Sequence, residues 1–165
     1  MTKSKLLDSL KLEQDRQDLI KLARKFGVKE VDLDWCARKL GDGLYLGLNW
    51  KNIGDAEAAI IAETLKVNSS VKHIDIAGND IGDVGAAALA EMLKENSTIT
   101  TINVYQNQIG DVGAIALAEA LKINSSVTNI RFGQNQICDA GTAVLAEALK
   151  VNGSVKQIDL VSNQI

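Results

Sequence analysis

The sequence predicts an α/β solenoid in which parallel strands line one side and helices the other. Three observations lead there: an eight-residue string recurring every 28 residues, apolar residues alternating within it, and a helix-forming stretch after each copy. The string reads IDIAGNDI from Ile74, INVYQNQI from Ile102, IRFGQNQI from Ile130 and IDLVSNQI from Ile158. Fixed-period self-similarity sets the architecture, because a single unit cannot bury its own apolar faces and stacked copies share one core.

Residues 1–43 do not obey the period and read as a helical N-terminal cap. Leu19, Leu22, Ala23 and Phe26 make a helical stripe that ends at Gly27, a suitable C′ glycine. GVKEVDLDW then echoes SVKHIDIAG and SVKQIDLVS, so Val31 and Leu33 are expected to form a degenerate opening strand. CARKLGDG, next in line, is either a short helical turn or the loop of a hairpin. Upstream, Leu6, Leu7 and Leu10 suit a loosely docked helix or an amphipathic segment that meets a partner.

Residues 44–165 carry the repeats, the last of them incomplete. Leu46, Ile74, Ile102, Ile130 and Ile158 share one column, and Leu48, Ile76, Val104, Phe132 and Leu160 share the next but one. That two-residue spacing is strand alternation, with these side chains pointing inward. A third column holds Asn79, Asn107, Asn135 and Asn163, with Lys51 in the first copy. A buried amide carries both donors and an acceptor, so this column is expected to bond backbone groups of its own and adjacent coils as a ladder. Lys51 accepts no hydrogen bond, which predicts a distorted or solvent-facing bend in the first coil.

GDVGAAALAEMLKEN and its copies follow each bend. Asp55, Asp83, Asp111 and Asp139 stand where N-caps belong, and Ala86, Leu89, Ala90 and Leu93 recur at helical spacing. Asn68, Asn96, Asn124 and Asn152 are expected to close the helices in a left-handed conformation, since a chain with no proline stops its helices with Gly, Asn and Asp. Each of these asparagines also begins an N-x-S/T triplet, a glycosylation acceptor in a secreted protein but a loop residue otherwise. Glu91 with Lys94, Glu119 with Lys122 and Glu147 with Lys150 make i,i+3 pairs on a solvated helix face.

The pattern L-x-L-x-x-N-x-I followed by G-D-x-G-x-x-x-L-A-E-x-L-K-x-N resembles the ribonuclease-inhibitor type of leucine-rich repeat. The resemblance implies a right-handed solenoid with parallel strands on the concave side and helices on the convex side. Members of that class serve mostly as binding surfaces. Repeats that stop at Ile165, after a strand and bend, suggest a fragment of a longer protein or self-association through Ile158–Leu160, since solenoid ends are normally covered.

Composition narrows the function. The chain has 165 residues, 46% of them hydrophobic, with 18 Lys and Arg against 21 Asp and Glu. No block of like charge neutralises a run of phosphates, which argues against nucleic acid. No apolar run approaches the roughly 20 residues of a membrane span, and MTKSKLLDSLKLEQDRQ breaks into charge before a secretory core is complete, so a cytoplasmic protein without membrane contact is expected. Cys36 and Cys138 read as reduced thiols, and the lone His73 as a residue of the exposed strand face. No cofactor, metal site or catalytic constellation is predicted: GDVG lacks the Lys-Ser/Thr of a phosphate loop, and Gly41-Asp42-Gly43 is a turn.

Inward columns are fixed by packing, so information resides in the outward strand positions, where the copies differ. Candidate partner-binding residues are His73, Asp75, Asn103, Tyr105, Arg131 and Asp159, with Trp50 at the neighbouring bend. Tyr105 and Arg131 lead, because aromatic residues and Arg are favoured anchors at protein interfaces. Five strands at about 4.8 Å give a face of about 20 Å, smaller than a stable interface commonly requires. The expected activity is non-enzymatic recognition of an as yet unidentified protein. The alternative is a self-assembling repeat, a homodimer joined at the C-terminal strand edge.

Overall fold

A computed structural model describes residues 3–26, 39–40 and 43–165. The elements run α1 (Lys3–Lys25), β1 (Lys39–Leu40), β2 (Gly43–Gly47), α2 (Asp55–Lys66), β3 (Val71–Asp75), α3 (Asp83–Glu95), β4 (Thr101–Asn103), α4 (Asp111–Ile123), β5 (Asn129–Arg131), α5 (Asp139–Val151) and β6 (Gln157–Asp159). The six strands form one sheet in sequence order. β1 pairs antiparallel with β2, so of the two readings of CARKLGDG the hairpin holds for Lys39–Leu40; every later pair is parallel. Val31, Leu33, Gly27 and Cys36 lie outside the described residues.

Strand register follows the 28-residue period. Leu46, Ile74, Ile102, Ile130 and Ile158 are successive partners across the sheet, and the first four are at most 2% exposed. Behind them Leu48, Ile76, Val104 and Phe132 are fully buried, as are Ile61, Leu89 and Leu121 from the helices, which forms one continuous core. Ile158 and Leu160 in the last strand are only partly buried against it. Along the helices, Lys66, Lys94, Lys122 and Lys150 each pair with the Glu three residues earlier at 2.5–2.7 Å. Hydrogen bonding to Glu63 holds the Lys66 ammonium above its ordinary pKa.

The asparagine ladder is present. The Asn79 amide donates to the Leu48 and Ile76 carbonyls at 3.0 and 2.9 Å and accepts the N–H groups of Lys51 and Ile53 at 2.9 and 3.0 Å. Asn107 and Asn135 repeat the pattern, donating to the Ile76 and Val104 carbonyls of the preceding coil and accepting the N–H groups of Ile81 and Ile109. In each of the later bends one residue takes a left-handed φ: Gly78, Gln106, Gln134 and Ser162. The first bend is the distorted one, as the lysine there predicts, with both Trp50 (φ 59°) and Asn52 (φ 53°) left-handed.

Two local expectations are corrected. The aspartates are not N-caps of their own helices. Gly82, Gly110 and Cys138 occupy those positions in extended conformation, and Asp83, Asp111 and Asp139 are the first helical residues. The carboxylates of Asp55, Asp83 and Asp111 instead reach into the following coil: Asp55 Oδ1 accepts the N–H groups of Gly82 and Gly85, both at 2.8 Å, Asp83 serves Gly110 and Gly113 at 2.8 and 2.9 Å, and Asp111 serves Cys138 and Gly141 at 2.8 and 2.9 Å. A side chain thus satisfies orphan donors of its neighbour's helix, where the dipole also favours negative charge. This explains the second glycine of G-D-x-G, since a Cβ at Gly85 would stand 2.7 Å from the Asp55 carboxylate.

The helix-ending asparagines are not left-handed either. Asn96, Asn124 and Asn152 are extended, with ψ of 125–128°. That geometry turns the amide into the core, where it forms a second ladder. Asn96 donates to the Leu65 and Asn68 carbonyls at 2.8 and 2.9 Å and accepts the N–H groups of Thr98 and Ile99; Asn124 repeats this one coil later. Asn68, Asn96 and Asn124 are buried, and the Asn96 and Asn124 amide nitrogens donate into the core, so a glycan on either of those two is incompatible with the fold.

α1 closes the first coil. Leu19, Ile20, Leu22 and Ala23 enter the common core, and the Ser70 hydroxyl donates to the Asp15 carboxylate. Leu10 stays 59% exposed.

Because Asn107 serves two coils at once, Asn107→Leu removes bonds from buried backbone groups without emptying space. Stability is expected to fall by about 1–3 kcal/mol in denaturant unfolding, and an unchanged midpoint would contradict the ladder's role.

Candidate partner-binding face

Strand alternation places a second set of residues on the side of the sheet away from the helices. Tyr45, His73, Thr101, Asn129 and Gln157 follow one another in register, and so do Gly47, Asp75, Asn103, Arg131 and Asp159. One position further on come Asn49, Ala77, Tyr105, Gly133 and Val161, where the strands turn into the bends.

The second column has a structural task. Asp75 accepts the Ala77 N–H, Asn103 the Tyr105 N–H and Asp159 the Val161 N–H, at 3.2, 3.1 and 3.0 Å. Asp and Asn commonly bond the backbone two residues on in this way, and here the bond fixes each strand's exit. Asp75 is committed further: the Tyr45 hydroxyl donates to it at 2.9 Å and the Asn103 amide at 3.1 Å. Its charge is therefore largely answered within the protein.

Arg131 departs from this column. Arginine cannot accept the bond that Asp and Asn accept, and its guanidinium is exposed. Among the described residues no carboxylate comes within ion-pairing distance of it, although Asp159 is its register partner. The side chain borders two shallow depressions. One is lined by Tyr45, His73, Ile74, Asp75, Thr101, Asn103 and Arg131, the other by Asn103, Tyr105, Arg131, Gln157 and Asp159. Tyr105 packs against the following coil: a Cβ at Gly133 would be 2.8 Å from its ring and 2.9 Å from Val161, so glycine there leaves the room the ring occupies.

Six of the seven anticipated residues, His73, Asp75, Asn103, Tyr105, Arg131 and Asp159, line these two hollows. Trp50 does not. It projects from the first bend, 61% exposed, with its indole over Gly78. Tyr45, Thr101 and Gln157, outward positions of the same strands that are not among the candidate anchors, also line the hollows. Their position in the outward repeat columns was the available signal, and Thr101 and Gln157 lack the aromatic or guanidinium group that marks an interface anchor. The face offers hydrogen-bond donors and acceptors, two aromatic rings and a guanidinium fork, which is the chemistry of recognition.

No group of three or more His, Cys, Asp or Glu side chains capable of holding a metal occurs among the described residues. Cys138 is a free thiol, half-exposed beside the Gln136 carbonyl. No described helix is long and apolar enough to cross a membrane.

A search of curated proteins finds no match. Among solved structures, leiomodin-1 actin-binding site 2 is similar with a TM-score of 0.69 and 23% identity, over 93% of this chain and 79% of that one. The C-terminal domain of Caenorhabditis elegans tropomodulin is similar with a TM-score of 0.66 and 16% identity, over 88% of this chain and 82% of that one. Both likenesses concern the fold. The family relation rests on the sequence itself: residues 46–144, spanning the repeats from β2 into α5, match the TMOD/LMOD leucine-rich domain. The chain belongs to the TMOD/LMOD leucine-rich domain family.

Proposed function

We propose that the protein is a non-enzymatic, cytoplasmic recognition module that binds a protein partner on its concave strand face, and that the partner is actin. The observation that carries the reading is Arg131. It stands in a column where Asp75, Asn103 and Asp159 make turn bonds, lacks an ion-pair partner among the described residues and borders both hollows. A residue that serves no packing or capping need at a position where its neighbours do is available for a partner. Actin is suggested by the likeness to leiomodin-1 actin-binding site 2. Nucleic acid and membrane lie outside this reading, because 18 Lys and Arg stand against 21 Asp and Glu and no described helix is long and apolar enough to cross a membrane.

Within this reading residues 1–43 cap the first coil and residues 44–165 form the repeats, whose 28-residue period and 12- or 13-residue helices support the ribonuclease-inhibitor type. Combined Tyr105→Ala and Arg131→Ala substitution removes the central ring and the free guanidinium without touching either ladder. Affinity for purified actin is expected to fall at least tenfold with an unchanged melting curve. Undiminished binding would overturn the concave-face assignment.

One observation favours self-association as a second reading. Ile158 and Leu160 are only partly buried, whereas their counterparts Ile130 and Phe132 are 2% and 0% exposed. Strand β6 therefore presents a partly open apolar edge that a second copy can cover. Sedimentation across a hundredfold range of concentration is expected to show a rising mass if it does so, and a constant monomer mass rejects it.

A further inference from the structure

The first bend breaks the rule that the other bends keep, and it does so around an exposed aromatic ring. At the left-handed position the later coils use Gly78, Gln106, Gln134 and Ser162, whereas the first uses Trp50 at φ 59°. A left-handed backbone is uncommon outside glycine and is a genuine outlier for a bulky side chain. The next position drops the ladder amide for Lys51, and Asn52 adds a second left-handed residue. Such departures from local preference are retained where the surrounding structure imposes them and a function uses them.

The surroundings hold the indole in one place. An ideal Cβ at Gly78 would lie 2.4 Å from Trp50 Cδ2, so the ring rests flat on the glycine of the following coil. Gly78 is itself left-handed (φ 64°) and bonds the Tyr105 carbonyl at 2.9 Å, while the Trp50 N–H bonds the Ala77 carbonyl at 3.0 Å. One indole face is thus supported by backbone and the ring remains 61% exposed. Tyr105 on Gly133 repeats the arrangement two coils away.

We propose that Trp50 is a second anchor for the partner of the concave face, a preorganised platform that receives an apolar side chain, with Gly78 as its positioning residue. This rests on the concave-face reading and extends it. Continuity supports the same occupant, because the platform is hydrogen-bonded through Ala77 and Gly78 to the strand ends that carry the hollows. Area supports it too: five strands span only about 20 Å, and an anchor beyond their rim enlarges a contact otherwise below the usual size. An exposed indole seated on backbone offers mainly apolar area, so an apolar side chain is its match.

The test measures binding of purified monomeric actin to the full chain and to three variants, with thermal melts alongside. Trp50→Gln places at this bend the residue used at Gln106 and Gln134, so it should fold; its affinity is expected to fall tenfold or more. Trp50→Phe, which keeps a ring, should recover most of that loss. The Tyr105→Ala, Arg131→Ala double variant provides the comparison. If that double variant is weakened and Trp50→Gln binds like the parent, the platform is rejected and the concave-face reading stands. If the parent chain does not bind actin, both are rejected. If Trp50→Gln alone is weakened, the concave-face reading is rejected and Trp50 as a second anchor of that face falls with it.

Discussion

Each coil of this protein completes its neighbour. A single strand–helix unit leaves unsatisfied backbone groups at its bend, at the start of its helix and at the end of its helix, and all three sites lie where solvent is excluded or restricted. A buried amide group left without a partner costs on the order of 1–3 kcal/mol. Three side chains per repeat remove that cost: an asparagine after the strand, an aspartate opening the helix and an asparagine closing it. Each reaches backbone of an adjacent coil, so the same bonds that satisfy the unit also fix the distance and register of the stack. The apolar columns fill the interior between these polar lines.

This division explains why so little of the repeat is free to vary. Isoleucine and leucine columns are set by packing, the two asparagine columns and the aspartate column by backbone bonding, and Gly85, Gly113 and Gly141 by the space an incoming carboxylate needs. What remains is the outer face of the strands and the left-handed position of each bend. These are the places where Tyr105, Arg131 and Trp50 stand, and the first two share the neighbourhood of the two hollows. The same scaffold keeps the aromatic rings orderly: two of them lie against glycines in the coil that follows, which limits the entropy a partner must remove on binding.

The architecture was legible because period 28 and period two are both written in large apolar residues. The first asparagine column was readable for a chemical reason, since an amide recurring in an otherwise apolar string needs several partners. The finer caps were not. An aspartate before an alanine-rich stretch looks like a cap of its own helix, and nothing local shows that Asp55 bonds Gly82 and Gly85 instead; that requires knowing how close the next helix lies. The terminal asparagines misled for the same reason, because local statistics favour a left-handed stop whereas the neighbouring Leu65 and Asn68 carbonyls pull the Asn96 amide inward. On the outer face, residue type pointed to six positions that do line the hollows, but the separation of Trp50 from them depends on bend geometry that a sequence does not display.

The claim on which all this rests is that buried side-chain amides tie successive coils into one cooperative stack. Native-state hydrogen exchange at the N–H groups of Ile81, Ile109 and Ile137, which the Asn107, Asn135 and Asn163 side chains receive from the next coil, tests it most directly. All three should exchange only through global unfolding, with protection matching the stability of the whole domain. Exchange at the rate of exposed bend amides, or three widely different protections, would show that the coils open independently and that the ladder does not bind them together.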